Sequence, residues 1–125
     1  DGEEDVRANI TTATPFNSGC NNGLCEQSQS GYDVWLSTSL VVWSDSSAAS
    51  DTNTRGYGSQ TGAAALSLVS RQPAYIIERL NVVERGGSLV AGYASQPPSE
   101  WYRVTSKGFS RIGQSDAMVQ SVIRR

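Results

Sequence analysis

The sequence predicts an α+β fold: the end of a helix at the start of the chain, packed on an antiparallel β-sheet, with long loops and one short cysteine loop between them. Three observations predict it. Val6 and Ile10 stand four apart and would share one face of a helix. After Pro73 come three strand-like runs separated by turn signals, the pattern of an antiparallel meander. Nineteen serines and twelve glycines among 125 residues leave only 38% hydrophobic and 18% charged residues, so loops are expected to be long and polar. A small antiparallel sheet needs a cover on its apolar face, and the most economical one is a longer helix beginning upstream of Asp1. The chain opens on Asp1 and its sole methionine is Met118, so it is expected to be a piece of a longer protein.

Taken in order, residues 1–10 read as the last turns of a helix. The acidic opening of Asp1, Glu3, Glu4 and Asp5 suits a helix N-terminus and equally a solvated tail. The β-branched threonines and Pro15 stop the helix. Residues 17–31 read as a loop containing Cys20 and Cys25. Four residues separate these cysteines, two more than a redox motif has, and no histidine or further cysteine could complete a metal site. They fit a short disulfide in an oxidising compartment, with two reduced thiols as the alternative. So short a loop predicts a gain of ~2 kcal/mol at most.

Residues 32–43 carry strand-favouring side chains around a polar centre, as one strand or a strand and a turn. Residues 44–62 form a polar loop too long for an ordinary connection. Residues 63–68 are expected to form a short helical turn. The strand candidates are then 74–83, with a short addition at 88–93, followed by 101–107 ended by Gly108, and finally 117–123.

Composition excludes several kinds of chemistry. There is no histidine, which removes Ser-His-Asp and Cys-His mechanisms and the commonest zinc sites. Nine arginines and one lysine, Lys107, against twelve acidic residues give a net charge of −2, which does not suit a nucleic-acid partner. No run approaches the ~20 apolar residues of a membrane span. Ser106 and Lys107 are neighbours that a strand would point to opposite faces, so they make a poor nucleophile and base. Glu3, Glu4, Glu78 and Glu100 suggest no catalytic carboxylate pair. Asp45, Asp51 and Asn53 have calcium-type oxygens but read better as a solvated loop. Gly56-Tyr57-Gly58 lacks the residues of a phosphate cradle. Trp35, Trp43, Tyr75, Trp101 and Tyr102 are expected to fill the core rather than line a ligand platform. No catalytic residue, metal or cofactor is expected.

Several stretches together resemble a known family. Tyr75-Ile76-Ile77-Glu78, Trp101-Tyr102-Arg103-Val104-Thr105-Ser106-Lys107-Gly108, and Asp116-Ala117 with Val119-Gln120-Ser121 and Arg124-Arg125 resemble, in that order, the C-terminal region of PilX-type minor pilins of bacterial type IV pili. Cys20-Asn21-Asn22-Gly23-Leu24-Cys25 is similar to the cysteine loop many of them carry after the first helix, and residues 1–10 to the end of that helix. The resemblance implies a pilin-like fold with residues 1–125 as a single domain, in which the N-terminal helix is present only as its end. It implies a subunit that is not an enzyme. Such a subunit joins other minor pilins near the pilus tip, primes polymerisation of the major pilin, helps present a large tip adhesin, and so serves adhesion and twitching motility. A hydrophobic helix ahead of Asp1 would anchor it on the periplasmic face of the inner membrane before it enters the extracellular pilus. The competing readings are a type II secretion pseudopilin, which a calcium site near the last strands would favour, and a free-standing secreted all-β binding domain, which would lack a helix before Cys20. The long loop at 44–62 and the cysteine loop are the first candidates for partner contacts.

Overall fold

The computed structural model describes residues 1–27, 33–36, 53–69, 72–80, 100–109 and 116–125. Among the described residues one α-helix, α1 (Gly2–Asn9), precedes five strands: β1 (Leu24–Glu26), β2 (Arg55–Gly56), β3 (Ala74–Leu80), β4 (Trp101–Phe109) and β5 (Asp116–Arg124). Eight residues are too few for a helix to persist alone in water, so α1 depends on what it packs against. Its acidic first turn, Glu3, Glu4 and Asp5, complements the helix dipole. Extended backbone at Ile10 ends it. Beyond it, Thr14 holds the chain in a turn, its hydroxyl accepting from the Thr11 amide at 2.8 Å.

The sheet runs β1-β3-β4-β5, with β2 also paired to β3. The last three strands form the expected antiparallel meander, Ile77 opposite Val104 and Tyr102 opposite Ile123. β1 adds what the sequence did not suggest: it pairs in parallel with β3, Leu24 opposite Ile77 and Glu26 opposite Arg79. Short β2 sits antiparallel on the same edge, Arg55 opposite Tyr75. β3 is therefore central, and its run Ala74-Tyr75-Ile76-Ile77-Glu78 is buried throughout, as a strand covered on both faces must be.

Each face has its own cluster. Val6 of α1 packs with Ile10, Phe16, Leu24, Tyr75, Ile77, Tyr102, Val104 and Ile123. On the opposite face Ile76 packs with Cys20, Cys25 and Val34, with Trp35 against them. α1 approaches the sheet closely enough that a Cβ on Gly2 would lie 2.4 Å from Val104 Cγ1, so the contact requires glycine.

The structure departs from several expectations. Residues 17–31 are not all loop: Asn21–Gly23 form a 3-10 turn leading into β1. Val34–Leu36 form a second 3-10 turn where a strand was expected, because Val34 must turn inward to cover the disulfide. No helical turn forms at 63–68. Instead the Gln72 side-chain amide clasps that segment, accepting from the Leu66 amide and donating to its carbonyl, both at 2.8 Å. β4 continues through Gly108 to Phe109, where the ladder with β5 still supplies partners. The strand expected at 88–93 and the polar stretch 44–52 lie outside the described residues, as do Trp43, Asp45 and Asp51.

Candidate functional site

The strongest polar construction is a buried node beneath α1. Asp5 is fully buried, and its Oδ2 accepts two hydrogen bonds of 2.7 Å, from Arg55 Nη1 and from the Tyr75 hydroxyl. Asn9, one turn on, donates to Asp5 Oδ1 at 2.8 Å. Arg55 also donates from Nε to the Asn22 carbonyl inside the cysteine loop, again at 2.8 Å. The node thus ties together α1, β2, β3 and the loop between the cysteines. A buried carboxylate is tolerable only when paired and hydrogen-bonded, and here a guanidinium and a phenol do both. Burial pushes the Tyr75 hydroxyl above its usual pKa, and its hydrogen bond to Asp5 adds to the effect.

Further contacts hold the same helix. The Asp1 carboxylate accepts from the Gly58 amide at 2.9 Å and from the Thr61 hydroxyl. Asn9 also donates to the Gln60 carbonyl at 3.3 Å. From the far end of the chain, Arg125 Nη1 donates to the Val6 carbonyl at 2.9 Å, the place where a cation complements a helix C-terminus. The end of the long polar segment, at Gly58, Gln60 and Thr61, is thus bonded to α1 and its N-cap.

Cys20 and Cys25 form a disulfide, and both are fully buried. The intervening turn needs left-handed backbone at Cys20, Asn22 and Gly23. A Cβ on Gly23 would also meet Arg55 Cγ at 2.9 Å, so only glycine lets Arg55 pass beneath the loop. Asn17 braces the loop, its side-chain oxygen accepting from the Asn21 amide at 3.1 Å. Asn53 donates to the Gly19 carbonyl at 3.3 Å, so its amide braces the cysteine loop.

The carboxylates considered for chemistry are committed elsewhere. Glu78 is fully buried and takes a two-pronged contact from Arg103, Nε to Oε2 at 2.5 Å and Nη2 to Oε1 at 3.1 Å. That bond raises the Arg103 pKa against the opposing effect of burial. Glu100 accepts from the Tyr102 hydroxyl, whose pKa is pushed up to about 12, first by burial and then by this bond. Glu26 pairs with Arg79, whose guanidinium lies 4.8 Å from the Phe16 ring centre. Glu3 and Glu4 are exposed on α1, Glu3 at 4.0 Å from Arg7. Ser106 and Lys107 occupy successive register positions on β4 and face opposite ways. Among the described residues no three Asp, Glu, Cys or His side chains converge as a metal site would need. Tyr75 and Tyr102 are core residues, as expected, whereas Trp35 and Trp101 are only half-buried.

One cleft of ≈350 Å³ opens at the end of the sheet, lined by Thr11, Thr12, Glu100, Tyr102 and Arg125. The Glu100 and Arg125 backbones exchange hydrogen bonds of 3.2 and 2.8 Å there, and the Tyr102 hydroxyl donates to Glu100. Taken together, the geometry neutralises charges inside and fixes a helix on a sheet, which suits display of a rigid surface.

The node escaped sequence reasoning because Asp5 stands in an acidic run that looks solvated. The available signal was helical spacing: positions 2, 5, 6, 9 and 10 form one stripe, and Asp5 lies in its middle. The presence of α1 before Cys20 removes the ground for an all-β reading.

Residues 21–125 match the family model described as Type IV pilus assembly protein PilX C-term. No curated protein and no solved structure matches the chain.

Proposed function

This chain belongs to the PilX C-terminal family of type IV pilus assembly proteins, and from that we propose that it is a structural minor pilin, acting in initiation of pilus assembly and in the pilus-tip complex. The family match across residues 21–125 carries this reading. On it, the work is done by protein–protein contacts with other minor pilins, the major pilin and a tip adhesin, not by catalysis. Residues 1–125 act as one pilin-like domain. α1 is the end of a longer helix whose apolar part anchors the subunit in the inner membrane and later packs among other helices in the filament core. Among the described residues no helix is long and apolar enough to cross a membrane. The seating of α1 by Asp5, Arg55, Asn9 and Arg125 supports the reading: a stem gripped at several points holds the domain at one orientation to the filament.

Deleting the gene in its own bacterium is expected to reduce surface piliation, and the purified domain is expected to retain sister minor pilins in a pull-down. Normal piliation together with no retained partner would overturn the proposal. Exchanging residues 44–52, which leaves β2 and Arg55 in place, tests the polar segment apart from the sheet: unchanged binding to every partner would remove those residues from the contact surface.

A further inference from the structure

Among the described residues β5 is the last strand of the sheet, and it lacks the usual protections of an edge. Natural edge strands carry charges, prolines or bulges that discourage pairing with another chain. Residues 117–123, Ala-Met-Val-Gln-Ser-Val-Ile, contain no charge, proline or glycine. Val119 is 65% exposed, Val122 56% and Met118 37%.

The ladder fixes which backbone groups face outward. Glu100 and Arg125 exchange both their hydrogen bonds, and the register continues as Trp101 opposite Arg124 and Tyr102 opposite Ile123. Hydrogen-bonded and non-hydrogen-bonded pairs alternate in an antiparallel ladder. The odd-numbered residues of β5 therefore bond to β4, while 118, 120 and 122 turn their N–H and C=O groups to the outer edge.

We propose that this edge pairs with the β5 of a second copy of the chain, antiparallel and centred on Gln120, to form one continuous sheet across a two-fold axis. The strand is complementary to itself in this register. Gln120 meets Gln120, Met118 meets Val122 twice, and Val119 meets Ser121. Each of these pairs between residues 118 and 122 that must exchange backbone bonds is one whose groups already point outward, giving roughly six new hydrogen bonds. Sliding by two residues sets Met118 against Gln120 and breaks the Met118–Val122 pairs. Such a pair is isologous and closed, so it is a form of the subunit outside any helical array.

Sedimentation velocity of the intact chain over micromolar to millimolar concentrations should show a species of twice the single-chain mass. Hydrogen exchange should show the Gln120 and Val122 amides gaining protection with concentration, while the Ser121 amide, bonded to β4, is protected throughout. Gln120→Pro removes an outward N–H, together with the side-chain hydrogen bond from Gln120 Nε2 to Thr105 Oγ1 at 3.1 Å, and should abolish the double-mass species. Val122→Lys, at a side chain already exposed, should weaken it without touching the fold, and decides the matter if Gln120→Pro fails to fold. A single-chain mass at all concentrations, or a dimer unaffected by Val122→Lys, would overturn the proposal. So would protection of these amides only after another pilus subunit is added.

Discussion

Asp5 and Arg55 are both almost wholly withdrawn from solvent, so removing either charge strands the other. Asp5→Ala is expected to destabilise the domain by about 3–5 kcal/mol, the usual cost of an uncompensated buried charge. The double change Asp5→Leu with Arg55→Met should cost less than either single change, because a buried ion pair replaced by packed apolar groups is often near neutral. Urea denaturation of the four proteins measures this, and simple additivity would show the pair to be uncoupled. The two buried tyrosines set a pH dependence. In the unfolded chain both ionise near pH 10, whereas the folded state holds Tyr102 protonated to about pH 12 and raises Tyr75 as well. Above pH 10 the folded state retains protons that the unfolded state has lost. Their contribution to stability is therefore complete below pH 10 and falls as pH rises through that window. Tyr75→Phe and Tyr102→Phe should each flatten the decline in the urea midpoint, and a slope unchanged in both would locate its cause in other groups.

At the scale of elements, the cysteine loop is small but well connected. Closing so few residues gains about 2 kcal/mol in the chain-entropy model. The sulfurs lie in an apolar cluster with Val34 and Ile76, where two thiols would still pack as small hydrophobes. Reduction should therefore lower the melting temperature and loosen the Asn22 contact to Arg55 while the sheet stays folded. Collapse of the melting transition on adding reductant would contradict this. What could be read in the sequence follows the range of the forces involved. The helix face of Val6 and Ile10 and the meander of β3, β4 and β5 were legible, because periodicity and turn chemistry are local signals. Parallel pairing of β1 with β3 was not, since it joins Leu24 to Ile77 across some fifty residues with no local mark. The inward turn at Val34 was misread as strand because β-branched and aromatic residues serve either purpose until the partner surface is known. Asp5 was missed for a related reason: its partners Arg55 and Tyr75 come from distant strands, and only folding turns an acidic residue of a polar run into a core one.

At the scale of the whole molecule, β3 binds the domain together. It pairs with β1, β2 and β4, and its side chains alternate between two cores, Tyr75 and Ile77 under α1, Ile76 beside the disulfide. Neither core can dissolve without exposing one face of the same strand, so partial unfolding that spares one of them should be scarce. Residues 1–125 are accordingly proposed to unfold as one cooperative unit. Far-UV circular dichroism and tryptophan fluorescence should trace one denaturation curve, the latter partly through Trp35 against the disulfide core. Truncating either face tests the coupling. Ile76→Ala and Ile77→Ala each remove a fully buried side chain and should each cost about 2–5 kcal/mol. Both should move the two probes together, since the cores share a backbone. If Ile76→Ala shifted the fluorescence transition while leaving the dichroism of α1 and the sheet at its parent midpoint, the disulfide face would be a separate folding unit. The chain would then hold two cooperative parts instead of one.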